Sequence, residues 1–287
     1  FMLDTSLSDA EKYPLKLADL IITPLDVDKA PISIQWNPLP ELQYKDIPNI
    51  GFSGDRMYRP YRIDNEWAPY EGSVMAIDPS GRGADETTYA VVKQLHGTLF
   101  TTALGGLSGG YEEETLIKLA KVAREQKVNK VIVEANFGDG MFTKLFLPIL
   151  ARYWNCAVEE VKHHTQKEKR IIDTLEPVMN RHKLVIDLQI VKKDVQDTML
   201  LDEQLDYSLL YQMTRITREK GALRHDDRID VLAMAVGYWV EAMARDEELA
   251  LEDYKENMIK DALEEFMAYV VGNNKFTNFD DLRFKNW

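Results

Sequence analysis

Residues 73–78 read SVMAID, a short run suited to a buried strand that closes on Asp78 and is followed at once by Pro79-Ser80-Gly81 to turn the chain. An apolar run bounded by turn residues belongs in the interior of a sheet. Working outward, residues 89–95 and 98–104 supply two more strands, set apart by glycine-bearing turns at Gly81 to Gly83 and at Gly97. A helix is expected over 112–126, because Leu116, Leu119, Ala120 and Ala123 recur at the i, i+3, i+4, i+7 spacing of one helical face. Residues 131–134 (VIVE) repeat the opening pattern, an apolar strand closed by Glu134. Further along, a helix is expected over 142–153, a strand over 157–161, a helix over 167–181 and a strand or hairpin arm over 183–190. Ile229, Leu232, Ala233, Val236, Val240 and Met243 mark a long core helix. Three strands followed by helices alternating with strands predict an α/β fold: a mixed sheet, antiparallel at its start and parallel later, flanked by helices.

Around this domain, taken as residues 73–245, lie two other regions. Residues 1–72 hold eight of the eleven prolines and little periodicity, and are read as an extended arm with one short helix. The chain opens on Phe1, so a fragment of a longer protein is expected. Residues 246–287 form an acidic helical tail with an apolar stripe of Leu251, Tyr254, Met258, Ile259, Ala262, Leu263, Phe266 and Val270. No run reaches the ~18–20 apolar residues of a membrane span, and no basic-then-apolar leader is present, so an intracellular protein without a membrane partner is expected. The single cysteine, Cys156, excludes an internal disulfide and a cysteine-cluster metal site, as suits a reducing compartment. The 35 Lys and Arg against 48 Asp and Glu give a net charge of −13. At face value that argues against a polyanionic partner, because nucleic acid is bound by neutralising its phosphates.

The acids at the strand ends argue the other way. Asp78 taken alone fits ordinary turn chemistry. Glu134 repeats its placement, and two carboxylates closing neighbouring buried strands are costly without a cation between them. A third group, His225-Asp226-Asp227-Arg228-Ile229-Asp230, stands just before the core helix. Any one of its acids could be an N-cap. Three are harder to explain so, since Asp226 and Asp227 stand at i, i+4 and i, i+3 from Asp230 and share the first turn. Clustered like charges raise one another's pKa unless a metal or a basic group compensates. Oxygen-only ligands favour magnesium or manganese. Two such ions about 4 Å apart are the usual apparatus of phosphodiester cleavage. Asp78 would bridge both ions, with Glu134 on one and Asp227, with Asp226 or Asp230, on the other.

Residues 73–95 (SVMAIDPSGRGADETTYAVVKQL), 131–140 (VIVEANFGDG) and 225–236 (HDDRIDVLAMAV) together resemble, in order, the three motifs of the nuclease domain of large terminase subunits. These are the DNA-packaging enzymes of tailed double-stranded DNA bacteriophages, called DNA maturase B in the short-tailed ones. The resemblance covers residues 72–244. It implies an RNase H-like fold and a C-terminal nuclease domain that cuts concatemeric viral double-stranded DNA into genome lengths, using two Mg2+ or Mn2+ ions. By position, the family's catalytic acids fall on Asp78, Glu134 and the Asp226/Asp227 pair, with Asp227 taken as the catalytic member. Asp230 matches an additional acid of related junction resolvases and is kept as a candidate ligand. Implied partners are double-stranded DNA, the portal or procapsid, the small terminase subunit and an ATPase motor domain of the same full-length chain. The implied location is the host cytoplasm during virion assembly, and not the mature virion. No G-x-x-x-x-G-K-[S/T] loop occurs, and Gly81-Arg82-Gly83 lacks its lysine, so no motor activity is expected of these residues. On this resemblance, residues 1–72 would be the end of the motor domain or the linker from it.

Between Lys162 and Asp194 the charge reverses, with eight Lys and Arg against five Asp and Glu. Lys167 and Arg170, near a helix start, are candidate phosphate contacts. Arg215, Arg218 and Arg224 lead into the acidic segment and are candidates too, while His225 is a candidate for catalytic support. The tail, with eleven acids against five bases, cannot clamp DNA and would pack in cis or dock on a packaging component. Two alternatives compete with the terminase reading: an RNase H-like junction resolvase, and a non-catalytic module that docks on the portal or procapsid.

Overall fold

A computed structural model describes residues 12–52, 54–80, 85–135, 140–199 and 204–273. The Gly81 to Gly83 turn and Asn136 to Asp139 lie outside the described residues, as do the side chains of Phe266 and Val270. Short strands come first: β1 (Ile21–Thr23), β2 (Lys29–Pro31), β3 (Ile34–Gln35), β4 (Arg62–Ile63) and β5 (Trp67–Pro69). The expected antiparallel meander follows as β6 (Gly72–Asp78), β7 (Thr87–Leu95) and β8 (Thr98–Leu107). Then come α1 (Glu113–Glu125), β9 (Lys130–Glu134), α2 (Met141–Tyr153), β10 (Ala157–Val161) and α3 (Lys167–Asn180). The remaining elements are β11 (Leu184–Asp187), α4 (Leu188–Asp194), α5 (Leu209–Arg215) and α6 (Asp227–Asn273).

The main sheet has seven strands in the order β1-β11-β8-β7-β6-β9-β10. β9 runs parallel to β6 and β10 parallel to β9, so the α/β mixed sheet expected from the sequence forms. Chain order reverses across β6, which has antiparallel β7 on one side and parallel β9 on the other. Strand ends at such a switch point leave a crevice open to ligands. Pairing of Ile77 with Val133 brings Asp78 and Glu134 to that same end.

One face of the sheet is covered by α1 and α2, with Leu116, Leu119, Ala123, Phe142 and Phe146 packed on Met75, Ile77, Val91, Val131 and Val133. Each large side chain so buried contributes about 1.5–3 kcal/mol relative to exposure. The first turns of α6, Arg228 through Val236, are buried on every side, the mark of an interior helix. Asp230 therefore sits where a charge is costly unless it is paired.

Residues 12–71, expected as an extended arm, instead fold onto the sheet. β1 is buried throughout and pairs in parallel with β11. Asp55 accepts hydrogen bonds from the Leu17 and Ala18 amides, and the Trp36 indole stacks on His182 at 3.6 Å. Lys93, buried in β7, ties this segment down by donating to the Val27 carbonyl at 2.6 Å and the Gln126 carbonyl at 2.7 Å. The strand or hairpin arm expected over 183–190 is cut short after Asp187, whose side chain accepts from the Gln189 amide and caps α4.

Two compact units are distinguished, one ending at Val240 and one beginning at Glu241. The boundary placed after residue 245 falls inside the continuous helix α6. In the second unit Leu251, Tyr254, Met258, Ile259 and Leu263 are all more than half exposed. Among the described residues no helix is long and apolar enough to cross a membrane.

Burial pushes the Lys93 ammonium down to about 8 from its ordinary 10.5. Between these values the unfolded chain binds the extra proton, so stability contributed at this site rises with pH. Denaturant unfolding at about pH 7.5 and pH 9.5 should show the parent gaining about 1 kcal/mol relative to Lys93→Met across that interval. Equal pH responses of the two proteins would refute it.

Candidate metal centre

Asp78 ends β6, Glu134 ends β9, and Asp230 lies in the first turn of α6. One carboxylate oxygen from each lies within 4.8 Å of the other two. Asp230 is fully buried and Glu134 nearly so. The helix starts by accepting the Asp230 amide on the Asp226 carbonyl at 2.9 Å, which fixes Asp226, Asp227 and Asp230 on one turn. Thr88, the register partner of Asp78 on β7, donates its hydroxyl to the Asp227 carbonyl at 3.1 Å. Strand and helix are thus joined beside the acids.

Burial and then the Glu134 charge hold the Asp78 carboxyl well above the usual carboxylate range. Glu134 is raised by burial and by Asp230, and Asp227 is raised by burial. Compensation comes from α3. The Lys167 ammonium lies 2.7 Å from Asp226 Oδ1, 3.1 Å from Asp230 Oδ2 and 3.5 Å from Asp227 Oδ1. Burial works against that ammonium, but Asp230 and Asp226 outweigh it and raise its pKa. Arg170, one turn later, donates to Asp230 Oδ1 at 2.6 Å. Despite the nearby ammonium, Asp230 Oδ2 is buried without a hydrogen bond.

The remaining candidates have other partners. Arg215 stacks on the Phe52 ring at 4.1 Å and donates to the Ile50 carbonyl. Arg218 pairs with Asp173 and Glu176. Arg224 is highly exposed, with Asp206 3.8 Å away. His225 stacks on Tyr207 at 4.0 Å, and both line a groove of about 500 Å³ with Leu205, Asp206 and Arg224. Thr88 was missed by sequence reasoning, and Lys167 and Arg170 were given an outward role. Their i, i+3 spacing at the start of α3 was the available signal that two cations share one face.

Residues 77–184 match the model of a family described as Terminase Bacteriophage T7, Ribonuclease H-like domain. Those residues are thus similar to an RNase H-like terminase domain. Over 300 aligned residues it is 42% identical to the large terminase subunit of Enterobacteria phage T3, matching all of this chain and 51% of that protein. The chain thus spans about half the length of this relative. The large terminase nuclease from thermophilic phage G20c is 11% identical, over 79% of this chain and 98% of its own, with a TM-score of 0.44. The nuclease domain of human cytomegalovirus terminase, Mn soaked and inhibitor bound, is 14% identical over 58% and 82% of the two chains, with a TM-score of 0.41.

The acids at these strand and helix ends fit a hard divalent cation: converging carboxylates, oxygen donors alone, and a buried Asp230 Oδ2 lacking a hydrogen bond. Without such a cation their mutual repulsion opposes folding. In chelator, Asp78→Asn should be more stable than the parent by about 1–3 kcal/mol in thermal or denaturant unfolding. Added Mn2+ should stabilise the parent and leave the variant nearly unchanged. An Asp78→Asn protein less stable than the parent in chelator would mean that Asp78 is held by favourable contacts instead.

Proposed function

We propose that this chain is the nuclease part of a phage large terminase subunit, a metal-dependent endonuclease that cuts concatemeric double-stranded DNA during genome packaging. The observation that carries the proposal is the convergence of Asp78, Glu134 and Asp230 at the switch point of the sheet, with Asp227 beside them. The 42% identity to the large terminase subunit of phage T3 supports the same reading. On this proposal the partners are double-stranded DNA, the portal or procapsid, the small terminase subunit and the motor part of a longer chain. The site of action is the host cytoplasm.

Asp78, Glu134 and Asp230 would hold Mg2+ or Mn2+, with Asp227 or Asp226 completing a second position. Bound there, two divalent ions supply Lewis-acid polarisation of a phosphodiester and a lowered pKa for an attacking water. The chain's own residues do the rest. The β6–β9 ladder fixes Asp78 and Glu134 at one end of the sheet, and Lys167 and Arg170 pair with the Asp230 carboxylate and orient it. The same two cations limit the net negative charge that an incoming phosphate meets. Arg224, beside the groove at Tyr207 and His225, is the most accessible of the candidate DNA contacts.

Plasmid cleavage with Mg2+ or Mn2+ tests the proposal. Asp78→Ala and Glu134→Ala should each lower the rate by more than about 100-fold, since lost ligands cost more than the outer partners that orient them. Parental rates in both folded variants would sink the proposal, and a preference for branched over linear duplex would turn it toward a resolvase. In DNA binding with Ca2+, Arg224→Ala should reduce the salt slope by about one phosphate contact. An unchanged slope would remove Arg224 from the DNA surface.

A further inference from the structure

We infer that Arg228, which lies among the acids of the HDDRID segment yet faces away from them, is the positioning residue that sets where α6 presents Asp227 and Asp230 to Asp78 and Glu134. This inference rests on the proposed reading of those acids as a metal site. Arg228 is almost fully buried, and its guanidinium is used on two sides. Its Nε and one terminal nitrogen donate to the two oxygens of Glu86, each at 3.1 Å. The other terminal nitrogen donates to Asp194 Oδ1 at 3.1 Å.

Each of these carboxylates is anchored in turn. Glu86 immediately precedes β7 and stands two residues before Thr88, which pairs with Asp78 on one side and with Gly106 on the other. A Cβ on Gly106 would come within 1.9 Å of Glu86 Oε2, so β8 leaves this carboxylate the room to reach Arg228 only because glycine is there. Asp194 ends α4, and besides Arg228 it accepts from Ser208 Oγ at 2.6 Å, from the Leu209 amide at 2.9 Å and from the Leu210 amide at 3.2 Å. It therefore caps α5, and Gln212 of α5 accepts the Ile229 amide at 3.0 Å. The start of α6 is thus held from the sheet through Glu86 and Thr88, and from α4 and α5 through Asp194 and Gln212. The Arg228 side chain belongs to both supports.

A planar guanidinium can satisfy a bidentate carboxylate and a second carboxylate at once, whereas an ammonium keeps the charge and loses the fork. That difference supplies the test. The full chain, stripped with chelator, is titrated with Mn2+ and the free ion is followed by electron paramagnetic resonance; metal-free melting is recorded alongside. Arg228→Lys should weaken Mn2+ binding by about 10–100-fold, the usual cost of losing a partner that orients ligands. Glu86→Gln and Thr88→Val should weaken it in the same direction while remaining folded. They carry the test if Arg228→Lys does not fold. A purely structural role would lower the melting temperature and leave Mn2+ affinity of the folded protein unchanged, and that result in Glu86→Gln and Thr88→Val would overturn the inference. A parent that binds no Mn2+ would instead remove the metal-site reading, and with it this inference.

Discussion

The arrangement depends on bringing positive charge into a buried acidic corner. Asp78, Glu134 and Asp230 meet at the end of the central strands, and Asp230 is enclosed in a helix start that is buried on all sides. An uncompensated charge in such a place costs several kcal/mol. Lys167 and Arg170 supply the balance from α3, and only a helix crossing close to the switch point could bring both of them there. The demands of the site thus constrain the packing of α3 as much as its own apolar face of Ile171, Ile172, Leu175 and Met179 does.

Much of this was legible in the residues, and the limits have physical causes. An apolar strand ending in an acid is a local pattern, so Asp78 and Glu134 could be placed at strand ends without knowledge of the fold. That they share one end follows from the parallel pairing of β6 and β9, which the intervening helix makes the natural connection. Which acid of the HDDRID segment approaches them depends on the rotation of α6, and that rotation is set by Thr88, Glu86 and Gln212 from distant parts of the chain. No local signal carries it. Lys167 and Arg170 were legible as a basic helical face, but their direction is a tertiary property: the same spacing serves an outward phosphate or an inward carboxylate. β1 escaped for a similar reason. Leu20, Ile21 and Ile22 are a brief apolar run among prolines, and their partner β11 lies far along the chain.

The charge arithmetic changes meaning once the side chains are placed. The surplus of lysine and arginine between residues 162 and 194 looked like a surface for a polyanion, yet Lys167 and Arg170 face the acids, leaving Lys162, Lys169, Arg181, Lys183, Lys192 and Lys193 exposed. Part of the acidic total is likewise internal, and the helix beyond Glu241 adds exposed acids of its own. A net charge of −13 therefore describes no single face of the protein.

The two ends of the main sheet are closed by different means. β10 leaves Glu159 and Glu160 exposed, and charge discourages another strand from joining there. β1 carries no charge; its backbone is covered instead by Tyr58, whose carbonyl accepts the Ile22 amide at 3.0 Å. Colloidal behaviour at that end is therefore governed by a segment that the strand pattern alone would lead one to discard. A version trimmed to begin at Ser73 would keep every acid of the metal centre and uncover the apolar flank of β11, leaving an unpaired strand open to self-association through its backbone.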